Sequence, residues 1–544
     1  MKTLNDNTSK KEKHKKATKN KKNYERIYDP KNDYDEILLK HKEMLQDQYY
    51  NNLHLSGFAG IISNPNGLGV HKDKFHIFHQ WNPYSISENS LMHKGHFYTE
   101  DFVKYFNNDL VLKPAIKEDI DGIYSGGSIE HDGKFYLYYT GKVDKDNKHD
   151  ADENNSYTIV VELDSENNVI EESKKVLFAV DRNRYTEKFS DPKPLFINGK
   201  FYLLHGAQKY NSQAALVLYS SDFPDKDFVY EGEIKLSDPL LLWEALMYES
   251  PDFFRIGEKD VFLFSTQEVK SRWKKYQTLN NSYFLIGNMD WKNLSFEIEK
   301  VQKADLGFDF YAPQLFSNLD EKIMMGKIGQ SVDNESHFLD PNWINNLSLP
   351  RILNYQNGEI TQKIHPNIYN LRNKYAKLEN EAKLESRLSN LVFRNIKGDF
   401  EVVLQNDSKQ KMKISYHKNT LVVDKSKNNI VLNKKFGKKW KIKIENIHFM
   451  EIFLDKSIIE IFINHGEYVF SSKYFISGDL SIKTNNLNDN HIFYLKPIQV
   501  DWNYKKIVLV SGEVFIDNVK NDEKEAEIKA ARIGDWHNVD FEQE

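Results

Sequence analysis

Five stretches of this chain repeat one shape at intervals of about sixty residues, and that period limits the possible folds more than any other feature. Each opens on a polar or proline-containing motif, runs through a short strand and a tight turn, and returns in a second, aromatic-rich strand. They read SNPNGLGVHKDKFHIFHQ from Ser63, SGGSIEHDGKFYLYYTG from Ser125, SDPKPLFINGKFYLLHG from Ser190, ESPDFFRIGEKDVFLFSTQ from Glu249 and APQLFSNLDEKIMMGKIG from Ala312. Aligned on Phe75, Phe135, Phe201, Phe262 and Ile323, the second strands lie 60, 66, 61 and 61 residues apart. Their turns include Asp-Gly and Asn-Gly, both strong hairpin formers. Sixty residues suit one four-stranded blade with generous loops, so five copies predict an all-β fold with a five-bladed β-propeller over residues 51–365. An all-β sandwich would also supply hairpins but would not explain the period.

Beyond Leu349-Pro350-Arg351 the pattern changes. Alternating strands over Phe400–Leu404, Lys411–Ser415, Asn419–Val423, Phe449–Leu454 and Ile458–Ile463 predict a β-sandwich over residues 366–510. The charged stretch Asn373–Ser389 reads equally as a linker helix or a first sandwich strand. Residues 511–544 read as a polar appendage, and residues 1–50 as a Lys-rich tail with a short amphipathic helix near Tyr34–Gln48. That helix carries Ile37, Leu38, Met44 and Leu45 on one face. The tail has nine Lys between positions 2 and 22 but no apolar stretch after them, so it reads as a solvated segment and not as a secretory signal.

Composition removes several classes of function. A net charge of −5 gives no global pull toward nucleic acid, and no apolar run approaches the ~18 residues of a membrane span. The absence of Cys excludes disulfides, thiolate metal sites and Cys nucleophiles, and predicts a cytoplasmic protein. No dinucleotide, P-loop or Gly-x-Ser-x-Gly motif is present. His76-x-x-His79 is a poor chelate, because an i,i+3 pair on a strand points to opposite faces. Neither metal nor cofactor is expected.

In a propeller the first strand of each blade lines the axis, which gathers Asn64, Ser125, Asp191, Glu249 and Tyr311 around one funnel. Two carboxyl groups facing one cavity are the minimum kit for glycosidic cleavage, and Asp191 and Glu249 are that pair. Taken singly, either would more often be a turn former or a solvated side chain. Tyr124, Phe310 and Tyr311 offer faces for stacking on a sugar, or equally for blade packing.

These motifs resemble those of the β-fructofuranosidase family of glycoside hydrolases, which includes invertases and bacterial sucrose-6-phosphate hydrolases. Ser63-Asn64-Pro65-Asn66-Gly67 is similar to the family's Asn-Asp-Pro-Asn-Gly box, and Met92-His93-Lys94-Gly95-His96 to Met-His-Trp-Gly-His. Tyr124-Ser125-Gly126, Ser190-Asp191-Pro192 and Glu249-Ser250-Pro251-Asp252 resemble Phe-Ser-Gly, Arg-Asp-Pro and Glu-Cys-Pro-Asp. Phe308-Asp309-Phe310-Tyr311-Ala312-Pro313-Gln314 matches almost intact. The resemblance implies retaining hydrolysis of a β-fructoside such as sucrose or sucrose 6-phosphate. It implies Glu249 as general acid/base and Asp191 as transition-state stabiliser, with Gln80, Tyr124, Ser125, Ser190 and Tyr311 contacting substrate.

The departures bear on whether the reaction runs. The nucleophile position holds Asn64, whose neutral amide neither forms a fructosyl ester nor offers charge to an oxocarbenium ion. Ser190 replaces an Arg, Ile61, Lys94 and Asn89 stand at Trp positions, and Glu249 is expected to lose a negative neighbour. Asp309 is the other carboxylate expected near the funnel, and Lys94 is either a phosphate contact or a drifted surface residue. Two readings follow: a β-fructoside hydrolase with impaired retaining chemistry, or a catalytically inactive protein that binds carbohydrate or a protein partner.

Overall fold

The computed structural model describes residues 26–144, 155–237, 245–267, 280–330, 342–430 and 437–502, with two further backbone strands at 505–510 and 513–518. The Lys-rich segment before Arg26 and the end of the chain after Asn518 lie outside the described residues. Five sheets of the predicted period make the propeller, and the five second strands each carry their aligned residue, Phe75, Phe135, Phe201, Phe262 or Ile323. The inner strands are Gly60–Pro65, the pair Ile123–Tyr124 and Ser128–His131, then Tyr185–Ile197, Met247–Ile256 and Phe310–Leu315. Trp343–Ile344 returns from blade 5 to pair in parallel with the inner strand of blade 1, closing the ring.

Each inner strand departs from regular pairing near its motif. In blades 3, 4 and 5 four residues, Ser190 to Lys193, Glu249 to Asp252 and Tyr311 to Gln314, face three on the partner strand. Each is a β-bulge with one extra residue. The residue before proline in each, Asp191, Ser250 and Ala312, has a φ of 62°, 49° and 48°. These are left-handed conformations that non-Gly residues seldom adopt. Asp191 therefore corresponds to Ser250 and Ala312, while Glu249 corresponds to Ser190 and Tyr311. The two carboxyl groups, in the motifs of adjacent repeats, sit one residue out of register.

Two six-stranded sheets form the β-sandwich. The charged stretch after Asn373 resolves as strand, in Arg372–Leu378 and Glu381–Lys383. The sheet containing Met450–Leu454 and Ile458–Ile463 is buried on both faces: Ile452, Leu454, Ile459 and Ile461 enter the sandwich core, while Phe453 and Phe462 join the core beneath blades 1 and 5. Helix α1 covers Pro30–Leu45, four residues earlier than the sequence reading, because Asp29 caps it through the Lys31 amide and a proline fits its first turn. It buries Tyr34, Ile37, His41 and Met44, a stripe at helical spacing, leaving Leu38 and Leu45 at the rim.

Candidate active site

The inner strands are stitched together through the motif residues themselves. Ser128 Oγ donates to the Gly67 carbonyl (3.0 Å), and Thr140 Oγ1 accepts from the Asp191 amide (3.0 Å). Asp191 Oδ2 accepts from the Ser250 amide (2.7 Å), and the Tyr311 hydroxyl donates to Glu249 Oε2. Lys327 Nζ donates to Ser63 Oγ (3.2 Å) and so joins blade 5 to blade 1. The structure thus brings Asn64, Ser125, Asp191, Glu249 and Tyr311 around one axis. Asn64, Tyr124, Ser190 and Glu249 are half-buried, whereas Gln80, Ser125, Asp191 and Tyr311 are buried. The hydroxyls of Ser125 and Ser250 are buried without a hydrogen-bond partner.

Electrostatics set the two carboxyl groups apart. Burial and the Asp191 charge push Glu249 up to about 7, against the Tyr311 hydrogen bond and the Lys327 charge. The negative neighbour missing at position 64 is therefore supplied by Asp191, contrary to the loss expected from sequence. Burial also raises Asp191, opposed by the Ser250 amide, the Ser190 hydroxyl, Lys142 and Lys94. The cations beside Asp191 come from the buried Lys94 and the half-buried Lys142, in place of the arginine absent at 190. Lys142 Nζ donates to Ser156 Oγ (2.6 Å) and the Glu187 carbonyl (3.0 Å), and burial brings it down to about 8.

Lys94 is completely buried and donates to Asn66 Oδ1, so it is not the surface residue of the sequence reading; burial lowers it to about 7. Asp309 does not serve the funnel. Its Oδ2 accepts from Lys425 Nζ (3.0 Å), Ser472 Oγ (3.1 Å) and the Lys473 amide (2.6 Å), which turns it toward the sandwich. Ile61 packs with Met92, Ile344 and Tyr124 where the family has an indole.

Sequence reasoning missed Glu88. It lies in the loop between Asn82 and His93, outside every repeat motif, while its neighbour Asn89 is exposed. Short polar side chains build this loop: Asn82 Oδ1 accepts from the Tyr84 and Ser85 amides, Asn82 Nδ2 donates to the Leu91 carbonyl, and Ser87 Oγ accepts from the Asn89 amide. Glu88 Oε2 accepts from Ser63 Oγ (2.6 Å), and Oε1 from Lys327 Nζ (2.8 Å) and Asn345 Nδ2 (3.1 Å). Only the Asn- and Ser-rich composition of residues 82–90 signalled an ordered loop.

A five-bladed propeller with a linked pair of carboxyl groups on adjacent inner strands, joined to a β-sandwich, is compatible with a glycoside hydrolase scaffold. The chain belongs to glycosyl hydrolases family 32: the family's N-terminal domain matches residues 54–364 and its C-terminal domain residues 353–494. Among its relatives, the sucrose-6-phosphate hydrolase of Vibrio alginolyticus is 29% identical over 481 residues, covering 86% of this chain and 94% of that protein. The sucrose-6-phosphate hydrolase of Bacillus subtilis is 27% identical, covering 81% and 92%. The fold matches the structure of sucrose-6-phosphate hydrolase from Lactobacillus gasseri with a TM-score of 0.79 at 23% identity, covering 87% of this chain and 99% of that one.

Proposed function

We propose that the funnel recognises a β-fructoside, sucrose or sucrose 6-phosphate being the first candidates, and that Asn64 impairs its retaining hydrolysis. In this reading Glu249 protonates the leaving oxygen, Asp191 stabilises the oxocarbenium-like transition state, and Gln80, Tyr124, Ser125, Ser190 and Tyr311 hold the sugar. The observation that carries it is the division of labour between adjacent inner strands: Glu249 keeps its proton up to about 7 beside Asp191, whose carboxylate accepts from the amide of the next residue, Ser250. The unpartnered Ser125 hydroxyl fits a sugar contact. The relatives' names support the substrate class, and the absence of Cys accords with a cytoplasmic protein.

The neutral amide is the weak point. Losing covalent capture and the carboxylate charge costs about 5–7 kcal/mol of barrier, or roughly 10⁴–10⁵ in rate. The test is hexose release from sucrose and from sucrose 6-phosphate by the full chain and by Asn64→Asp, with calorimetric titration of both sugars. Saturable heat without hexose release in either protein would favour the binding-module reading. Absence of heat with every sugar would remove both.

A further inference from the structure

The second sheet of the β-sandwich turns one face to solvent, and lysines dominate that face. Residues 409–443 hold twelve Lys against the single acid Asp424, in a chain whose net charge is −5. They supply the strands Lys411–His417, Thr420–Lys427 and Lys439–Lys443 at one edge of the six-stranded sheet. Alternation divides these strands: Met412, Ile414, Leu421, Val423 and Trp440 are buried in the sandwich core, while Lys411, Lys413, Lys439, Lys441 and Lys443 point outward. Across the sheet Val403 stands between Lys413 and Lys483, which continues the same outward face. Glu401 pairs with Lys413, Asp424 with Lys439 (3.2 Å) and Glu381 with Lys483 (2.9 Å). Among the described residues Lys411, Lys427, Lys441 and Lys443 form no ion pair, so the face keeps a surplus of positive charge.

We propose that this face docks the protein on an anionic lipid bilayer. Its shape and its chemistry choose a lipid surface over another polyanion. Six strands make the face about 24 Å wide, broad enough to lie on a surface and too broad to enter a nucleic-acid groove. Among the described residues it shows no Arg, Phe, Tyr or Trp to solvent, since Phe400, Tyr416 and Trp440 all turn inward. It therefore lacks the stacking platforms of a single-strand binder and the Arg and aromatic anchors of a protein interface, whose centre is also poor in Lys. What remains is a set of point charges on flexible stems, which gain from a diffuse negative surface without a fixed geometry. Val403 and Val422, half-buried among them, add apolar contact without a spanning segment. The other sheet sends Phe453 and Phe462 into the core beneath blades 1 and 5, so the basic face points away from the propeller and docking leaves the blades clear.

The experiment is co-flotation of the full-length chain with vesicles of phosphatidylcholine, alone or with about 30% phosphatidylglycerol. Binding is expected to the anionic vesicles only, and to be lost at about 0.5 M salt. The combined variant Lys411→Glu, Lys441→Glu and Lys443→Glu is expected to bind about 10²-fold more weakly or worse, with an unchanged melting temperature. Arg at the same three positions is expected to keep binding within about threefold, which separates charge from any change of fold. Because the segment before Arg26 is also Lys-rich, Lys10→Glu, Lys11→Glu and Lys13→Glu together serve as the comparison and are expected to cost less than about tenfold. No binding to anionic vesicles, equal binding to neutral ones, or binding that survives the first Glu variant would overturn the proposal. Affinity for a single-stranded oligonucleotide that is lost with the same three lysines, without vesicle binding, would assign the face to nucleic acid instead.

Discussion

Glu249 owes its elevated proton affinity to two opposed sets of neighbours. Burial and Asp191 raise it, whereas the Tyr311 hydroxyl and Lys327 lower it to a net of about 7. In the proposed mechanism Glu249 acts in its acid form, so kcat/KM is expected to fall as pH rises through about 7. Tyr311→Phe removes a hydrogen bond that favours the ionised form. The alkaline limb of the pH–rate profile should therefore move to higher pH, and a limb that stays or moves lower would contradict this account. Single residues were unevenly legible. Asp191 and Glu249 stand in motifs that can be read directly, but Glu88 and Lys142 acquire their meaning only from side-chain approach across blades. Lys94 looked exposed because Lys is almost never fully buried, and here burial is sustained by Asn66 and the charge of Asp191.

The X-Pro bulge is the structural element that aims the site. In blade 4 Ser250 takes a φ of 49°, and the extra residue turns Glu249 toward Tyr311. Ser250→Gly should be neutral or stabilising by up to about 1 kcal/mol, because glycine accepts that conformation freely. Ser250→Val places a β-branched side chain there and should cost about 1–3 kcal/mol in thermal unfolding, with loss of activity beyond the loss of fold. Equal stability of the two variants would count against strain at this position. The repeat was visible in sequence because hairpin turns and aromatic strands are local signals. The one-residue offset between Asp191 and Glu249 can be read by aligning the prolines of Ser190-Asp191-Pro192 and Glu249-Ser250-Pro251, but the bulges that contain them could not, since a bulge depends on pairing with another strand.

At the scale of the whole molecule, a buried ionic network holds the sandwich against the propeller. Arg351 donates to Asp305 (2.9 Å) and Glu460 (2.5 Å) and lies over the Phe310 ring, next to Tyr311 in the chain. His54 bridges Asp455 (2.9 Å) and Glu460 (3.1 Å). Arg351→Met leaves the buried Asp305 without its ion-pair partner and Glu460 with His54 alone, and should cost about 3–5 kcal/mol, measured by denaturant unfolding. The network also predicts a pH window. Burial disfavours the charge on His54, but Asp455 and Glu460 raise it to about 9, so its contribution is full below its ordinary 6.5 and lost as pH rises through 9. Burial likewise disfavours the charge on Glu460, yet Arg351 and His54 lower it to about 2, so its contribution is full above 4.5 and lost as pH falls through 2. Thermal stability should therefore decline between about pH 7 and 9 in the wild type and much less in His54→Gln; parallel declines would contradict the assignment.

The proposed function turns on position 64, where the inner strand of blade 1 carries an amide. The most direct measurement is initial-rate hexose release from sucrose and sucrose 6-phosphate by the wild type and by Asn64→Asp. The account predicts a slow wild type and a gain of about 10³-fold or more in kcat for the variant on at least one of the two sugars. A wild type as fast as an ordinary retaining invertase, or a variant that binds sugar but gains nothing, would contradict it.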